Sequence, residues 1–346
     1  MTERQATLIA AGLGAVVLIL ILAVCHPFSW GTEEERAEVV TPSVVESATG
    51  GAVSGSGIAS EEDPFSGIVG DGTIYDSDGT TVATRILPPK DYYRTPSAEG
   101  SLATFLRDYE VKKSGAKVKY YTGSEKVSQT AAVLKLPVDK RNLQQAAGTI
   151  LRFYGEYMWQ QQLYDQISFV FPNSFQADYK QWQSGKRIQS DASGTRWVEQ
   201  SRAEQTRNAS QAAVSTSAVE ADTKDSHKTF TEYMESVLLY TGMNTLAKET
   251  KKIKKSEIHI GDLYLQSGNT SHVVMIVDEC VNEDGKKAYL LAQGGTPAQQ
   301  FHIILNPAHK EDPWYYESEL KYPVRTADFT FEKGTLCHPV YLDAVE

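Results

Sequence analysis

Cysteine is scarce in this chain of 346 residues: Cys25, Cys280 and Cys337 are the only three, and no two form a Cys-x-x-Cys pair. A zinc site built on these thiols is therefore not expected. His259, His309 and His338 show no metal-ligating spacing either, so neither a metal site nor a cofactor is expected. Basic residues are also short, with 34 Lys and Arg against 44 Asp and Glu and a net charge of −10. Without a basic stripe, a nucleic-acid partner is not expected. Most of the acidic excess is local. Residues 31–66 carry eight acidic side chains against Arg36 alone, and no aromatic residue before Phe65. Such a stretch cannot bury enough apolar surface to offset its chain entropy, so it reads as a disordered tether.

One long apolar run stands out. Ala6 to Cys25 is twenty residues with Thr7 as the only conventional polar side chain, long enough to cross a bilayer core. Arg4 precedes it, and Glu33-Glu34-Glu35 follows, which favours an N-terminus inside and the remainder outside. An uncleaved anchor is the first expectation, a cleaved secretory signal the second. Leu22-Ala23-Val24-Cys25 also resembles a lipoprotein box, with Cys25 as the lipidated residue. Each reading puts the bulk of the chain in the cell envelope, outside the cytoplasm, with the membrane as one partner. Three regions result: a membrane segment over 1–30, the tether over 31–66, and an extracytoplasmic domain over 67–346. In an oxidising compartment Cys280 and Cys337 could bridge.

Within the domain, Asp139 sits where a helix N-cap belongs, and Leu143, Ala147, Ile150, Leu151, Tyr154 and Met158 recur at helical spacing after it. Residues 189–226 are polar apart from a few positions such as Trp197 and Val198, and read as a disordered insertion, with a frayed helix over 197–212. Phe230, Tyr233, Met234, Val237 and Leu238 trace a helical face that ends at Gly242. Strand-like runs around 263, 273, 289 and 302 follow closely. A helix followed by an antiparallel meander is an α+β arrangement.

The residues that carry chemistry lie in that meander. Gly261-Asp262 turns into one strand, and His272 opens the next. If the following strand closes a symmetric hairpin, Asp278 pairs with Lys287 and His272 falls opposite Gln293, where an amide could hold the imidazole tautomer. A base, a ligand-binding donor and a satisfied core histidine all remain open for His272. Asp262 is assigned to its turn. Gln299 and His302 lie in a Gly-Thr-Pro-Ala-Gln loop entering the next strand, where they could line a pocket or stabilise the turn. Asp178 with Tyr179 and Trp182 could form a sugar- or peptide-binding face, or simply core.

The order of helix, Gly261-Asp262-Leu263, His272-Val273 and Gln293 resembles the NlpC/P60 cell-wall peptidases, which have a papain-like fold. The resemblance implies a cysteine nucleophile at the N-terminus of the helix, His272 as base and Gln293 as orienter. Phe230 or a neighbour occupies the nucleophile position here; Ser226, Thr229 and Thr231 are the nearby hydroxyls. A second resemblance spans most of 85–340. It rests on Arg85-Ile86-Leu87-Pro88-Pro89, Leu143-Gln144-Gln145, Phe175 with Asp178-Tyr179 and Trp182, Gly261-Asp262, His272, Leu291-Ala292-Gln293, Pro297-Ala298-Gln299, His302 and Asn306-Pro307. These residues are similar to those of a bacterial family, domain of unknown function 4846, which implies no activity. Together the two resemblances lead us to expect a degenerate papain-like domain that binds a cell-wall or other envelope ligand, peptidoglycan or an envelope protein. An active envelope hydrolase and a scaffold with a vestigial cleft are the alternatives.

Overall fold

The structure, a computed structural model, describes residues 69–199 and 226–343. The apolar run Ala6–Cys25, Cys25 itself and the acidic tether lie outside those residues. Among the described residues no helix is long and apolar enough to cross a membrane.

In chain order, α1 (Val82–Arg85) and β1 (Tyr92–Arg94) lead into α2 (Leu102–Asp108), β2 (Thr130–Val133) and the long helix α3 (Ala146–Gln160). Then come β3 (Ser168–Val170), β4 (Gln176–Asp178), α4 (Tyr179–Gln183), β5 (Lys186–Asp191) and β6 (Gly194–Glu199). Helices α5 (His227–Tyr240) and α6 (Met243–Lys248) precede β7 (Thr250–Lys252), β8 (Leu263–Gln266), β9 (His272–Asn282), β10 (Lys287–Gln293) and β11 (His302–Ile304). The chain closes with β12 (Tyr315–Tyr316), β13 (Val324–Arg325), β14 (Thr330–Phe331) and β15 (Leu336–Pro339). The chain is α+β, and its main sheet is antiparallel, in the order β2-β11-β10-β9-β8-β15-β7. β1 extends the sheet along the far half of β9, and β12 along the near half of β10.

Each face of this sheet buries a different cluster. Val273, Met275, Val277, Leu290 and Ala292 pack with Ile150, Phe153 and Tyr154 of α3. Val274, Ile276, Tyr289 and Leu291 point the other way and are covered by Tyr315, Leu320, Val324, Phe331 and Leu336 from the C-terminal segment. Period-two alternation sorts side chains between the two faces, so a buried residue's parity tells which cover it meets. α5 lies on α3 and α4. It approaches closely because Gly155 has no side chain: a Cβ there would stand 3.1 Å from both the Met234 sulfur and the Phe230 ring.

The pairing of β9 with β10 differs from the symmetric hairpin expected from the sequence. Lys287 pairs with Val281 rather than Asp278, and the register shifts between Leu290 and Leu291, so that Leu290 faces Asp278 while Leu291 faces Ile276. Val277 is left over as a bulge residue. A bulge reverses the parity of one strand against the other. Without it, Gln293 would lie on the face opposite His272. With it, Gln293 is a diagonal neighbour of His272 on the same face, near enough for long side chains to meet.

Other expectations are also revised. α3 begins at Ala146 with Gln145 as its cap, not at Asp139. Asp139 instead accepts from the Arg141 backbone N–H at 2.8 Å in a local turn, competing with helix initiation as short acidic side chains do. Part of the polar stretch from 189 is ordered, since β5 and β6 pair from Lys186↔Glu199 to Asp191↔Gly194. Trp197, expected in a frayed helix, packs against Phe175 from this hairpin. Residues 200–225 lie outside the described region. Cys280 and Cys337 are both free and buried; β8 separates their strands in the sheet, too far for a disulfide.

Gly261 starts β8 from a left-handed conformation, φ 102°. A Cβ there would sit 2.6 Å from a Leu102 methyl and 2.8 Å from a Leu342 methyl. Gly261→Ala is therefore expected to cost about 1–3 kcal/mol through strain and overpacking. Urea unfolding with an unchanged midpoint would refute this.

Candidate functional site

Where β9 begins and β10 ends, on the face away from α3, four side chains form a continuous polar chain. The Lys126 ammonium is 2.6 Å from Asp328 Oδ2. The same oxygen accepts from Gln293 Nε2 at 2.5 Å, and Gln293 Oε1 lies 2.7 Å from His272 Nε2. The donors fix the tautomers. A carboxylate can only accept, so the Gln293 amide nitrogen points at Asp328 and its oxygen at His272. His272 Nε2 must then carry the proton, and Nδ1 keeps its lone pair. Among the described residues that Nδ1 has no hydrogen-bond partner.

His302 completes the group. It is the direct register partner of Gln293, accepts the second Gln293 amide hydrogen at Nε2 over 3.4 Å, and donates from Nδ1 to the Gln300 carbonyl at 2.9 Å. Gln293 and His302 are fully buried, His272 is half-buried, and Asp328 is exposed. The His272 ring lies against Phe329, with centroids 5.1 Å apart.

Burial pushes His272 below the ordinary imidazole range, partly offset by the Gln293 bond. It pushes His302 down to about 4. Burial alone would raise Asp328, but the Lys126 hydrogen bond and charge, then the Gln293 bond, hold it below the usual carboxylate range. At neutral pH the site thus presents a neutral imidazole beside a carboxylate.

His272 and Gln293, the pair singled out in the sequence, are hydrogen-bonded to each other. Among the described residues no Ser, Thr or Cys side chain is hydrogen-bonded to His272. Phe230 is fully buried on the other side of the sheet against Trp159 and Tyr179. Ser226 caps α5 through the Thr229 N–H, and Thr231 donates to the His227 carbonyl.

The remaining candidates fall into structural roles. Gln299 donates to the Gly294 carbonyl at 2.8 Å and braces the loop after β10. Asp178 accepts from Ser168 at 2.6 Å, and the buried Trp182 ring carries the Arg187 guanidinium 4.2 Å above it. Neither belongs to the His272 group. Asp262 does serve its turn, accepting from the His259 N–H at 2.7 Å, and also holds His338 at 2.7 Å.

The family model described as domain of unknown function 4846 matches residues 82–214 and 206–338. The chain belongs to that family. No curated protein and no solved structure matches it. His272, Gln293 and His302 all fall inside the matched segments of this domain of unknown function, as do Lys126 and Asp328. The last two are invisible to sequence reasoning. Lys126 comes from a loop held along residues 298–300, where the Tyr121 N–H donates to the Ala298 carbonyl. Asp328 comes from the turn between β13 and β14, and neither position carries a motif.

Proposed function

We propose that the domain binds a polar ligand of the cell envelope, a cell-wall peptide or glycan, at the His272–Gln293–Asp328 group. The observation that carries this reading is the unused acceptor on a fixed imidazole. His272 Nδ1 and Asp328 Oδ1 both lack partners among the described residues, next to the Lys126 donor and the Phe329 ring. Two acceptors and an aromatic surface suit a ligand rich in amide N–H and hydroxyl groups. Here the papain-like resemblance rests on the imidazole–amide pair alone. The N-terminal apolar run would hold the domain at the membrane, facing the wall.

The test is sedimentation of the soluble domain with purified peptidoglycan, and calorimetry with soluble wall fragments. His272→Ala is expected to weaken binding at least tenfold, the loss of about one charge-free hydrogen bond with its ring packing. Binding should also fall in acid, below the ordinary imidazole range because burial lowers the His272 pKa, as the Nδ1 acceptor becomes protonated. Wild-type binding that His272→Ala leaves intact would remove the proposal.

A second reading is favoured by one feature: the imidazole is oriented as a general base would be, with its free nitrogen available to a water. Under it the domain hydrolyses an envelope amide or glycoside. Product release seen by mass spectrometry, abolished in His272→Ala, would decide for hydrolysis; binding with no product would decide for recognition.

A further inference from the structure

Arg85, at the end of α1, is buried at 4% exposure. Its Nη1 donates to the Lys112 carbonyl at 3.1 Å and its Nη2 to the Gly79 carbonyl at 2.5 Å. Among the described residues its Nε–H has no partner. A buried guanidinium donor left unmatched calls for an explanation. Arg85 lines a cavity of about 90 Å³ between α1, the 113–118 loop and the edge strand β2. That volume is far below the roughly 300–1,000 Å³ typical of sites for drug-sized ligands, and it suits one small ion.

The lining is cationic and hydroxylic. Lys113 and Lys117 contribute from the loop, Ser128 and Thr130 from the other side, and among the described residues no acidic side chain lines the cavity. Among the described residues Lys112, Lys113, Lys117 and Lys119 make no ion pair, in a chain whose overall charge is −10. Burial, with Lys119 adding to it, pushes Lys112 below the ordinary ammonium range. The Ser128 and Thr130 hydroxyls bond each other at 2.6 Å, which leaves one hydroxyl hydrogen free to donate outward.

We propose that this cavity binds a phosphate group, held by the Lys113 and Lys117 ammonium groups and the Ser128–Thr130 hydroxyl pair, with the Arg85 guanidinium charge in its wall. The cationic and hydroxyl groups come from three separate segments of chain, which suits an anion with several acceptor oxygens, and guanidinium with ammonium is a common phosphate-binding pair. The site is distinct from the His272 group and does not depend on the function proposed for it.

The experiment measures binding of inorganic phosphate to the full chain by calorimetry, against acetate at equal ionic strength. Phosphate is expected to bind measurably and acetate at least tenfold more weakly. Lys113→Ala with Lys117→Ala, both exposed and outside the core, is expected to weaken phosphate at least tenfold while the thermal melt without phosphate stays unchanged. Arg85→Gln is the second variant, with the same expected loss. In parallel, vesicles of phosphatidylglycerol are compared with phosphatidylcholine. Phosphate binding alone would indicate a soluble phosphate; lysine-dependent vesicle binding would indicate a lipid headgroup, and either supports the site. Equal binding of phosphate and acetate, binding retained in the double variant, or no binding to phosphate or vesicles would overturn it.

Discussion

Asp278→Ala is expected to destabilise the domain by about 3–5 kcal/mol, the usual cost of removing one partner from a buried ion pair. Asp278 is fully buried on β9, and its two oxygens each meet a guanidinium at 2.7 Å, Arg94 Nε on one side and Arg107 Nε on the other. Burial alone would raise its pKa, but the charges and hydrogen bonds of Arg94 and Arg107 hold it below the usual range. Both arginines also serve backbone groups. Arg94 donates to the Ile86 carbonyl at 2.5 Å, and Arg107 to the carbonyls of Thr95 and Glu279 at 2.8 and 3.1 Å. The cluster therefore ties β1, α2 and the segment before them to the centre of the sheet. Removing the carboxylate leaves two buried cations with only neutral acceptors. Asp278→Asn is expected to cost nearly as much, because an amide oxygen cannot compensate two charges. Urea unfolding gives the figure directly; a change below about 1 kcal/mol would show that the carbonyl acceptors suffice.

The second large effect is a pH dependence from His302. Its folded pKa lies at about 4, against about 6.5 for an unperturbed imidazole. A depressed folded value means that the unfolded chain binds the proton more readily. Stability from this group is thus full above pH 6.5 and is lost as pH falls towards 4. Over that interval the loss amounts to about 3 kcal/mol. His302→Gln removes the titrating group, so the difference in unfolding free energy between wild type and variant should shrink by that amount from pH 7 to pH 4. A constant difference across the interval would show that His302 titrates normally. The same titration separates His302 from Asp278, whose contribution is lost only below the ordinary carboxylate range.

Much of the meander is legible in the residues themselves. Gly261-Asp262-Leu263, His272-Val273 and Leu290-Leu291-Ala292-Gln293 mark β8, β9 and β10 because buried strands need apolar residues, and turns need glycine and aspartate at fixed places. The face of α5 is equally plain in Phe230, Tyr233, Met234, Val237 and Leu238. The start of α3 is not, because Asp139 offers a capping side chain that a local turn uses first. Nor is the β5–β6 hairpin. Its residues are too polar to announce a buried face, and Trp197 packs against Phe175 from outside the local pattern.

The meeting of His272 and Gln293 follows from the sequence only through an incorrect register. Pairing Asp278 with Lys287 places the two side chains opposite each other; the observed pairing brings them together only because Val277 bulges out. Local sequence does not select between these registers, since both bury Val, Ile and Leu. The buried Arg94–Asp278–Arg107 cluster accompanies the choice. Asp278 follows the bulge residue, and the reversed parity aims it at the helices instead of the C-terminal cover.

What the sequence alone determined is therefore the class of the domain, its family, its acidic and apolar N-terminal regions, and the candidate imidazole with its amide. The tertiary structure decided the rest. It brought together Lys126 and Asp328, 202 residues apart in the chain, left His272 Nδ1 without a nucleophile among the described residues, and gathered Lys113 and Lys117 around the same cavity as Arg85. The physical reason is that apolar periodicity and turn chemistry act between near neighbours. Polar sites depend on long-range docking, where a single bulge or loop position changes which groups meet.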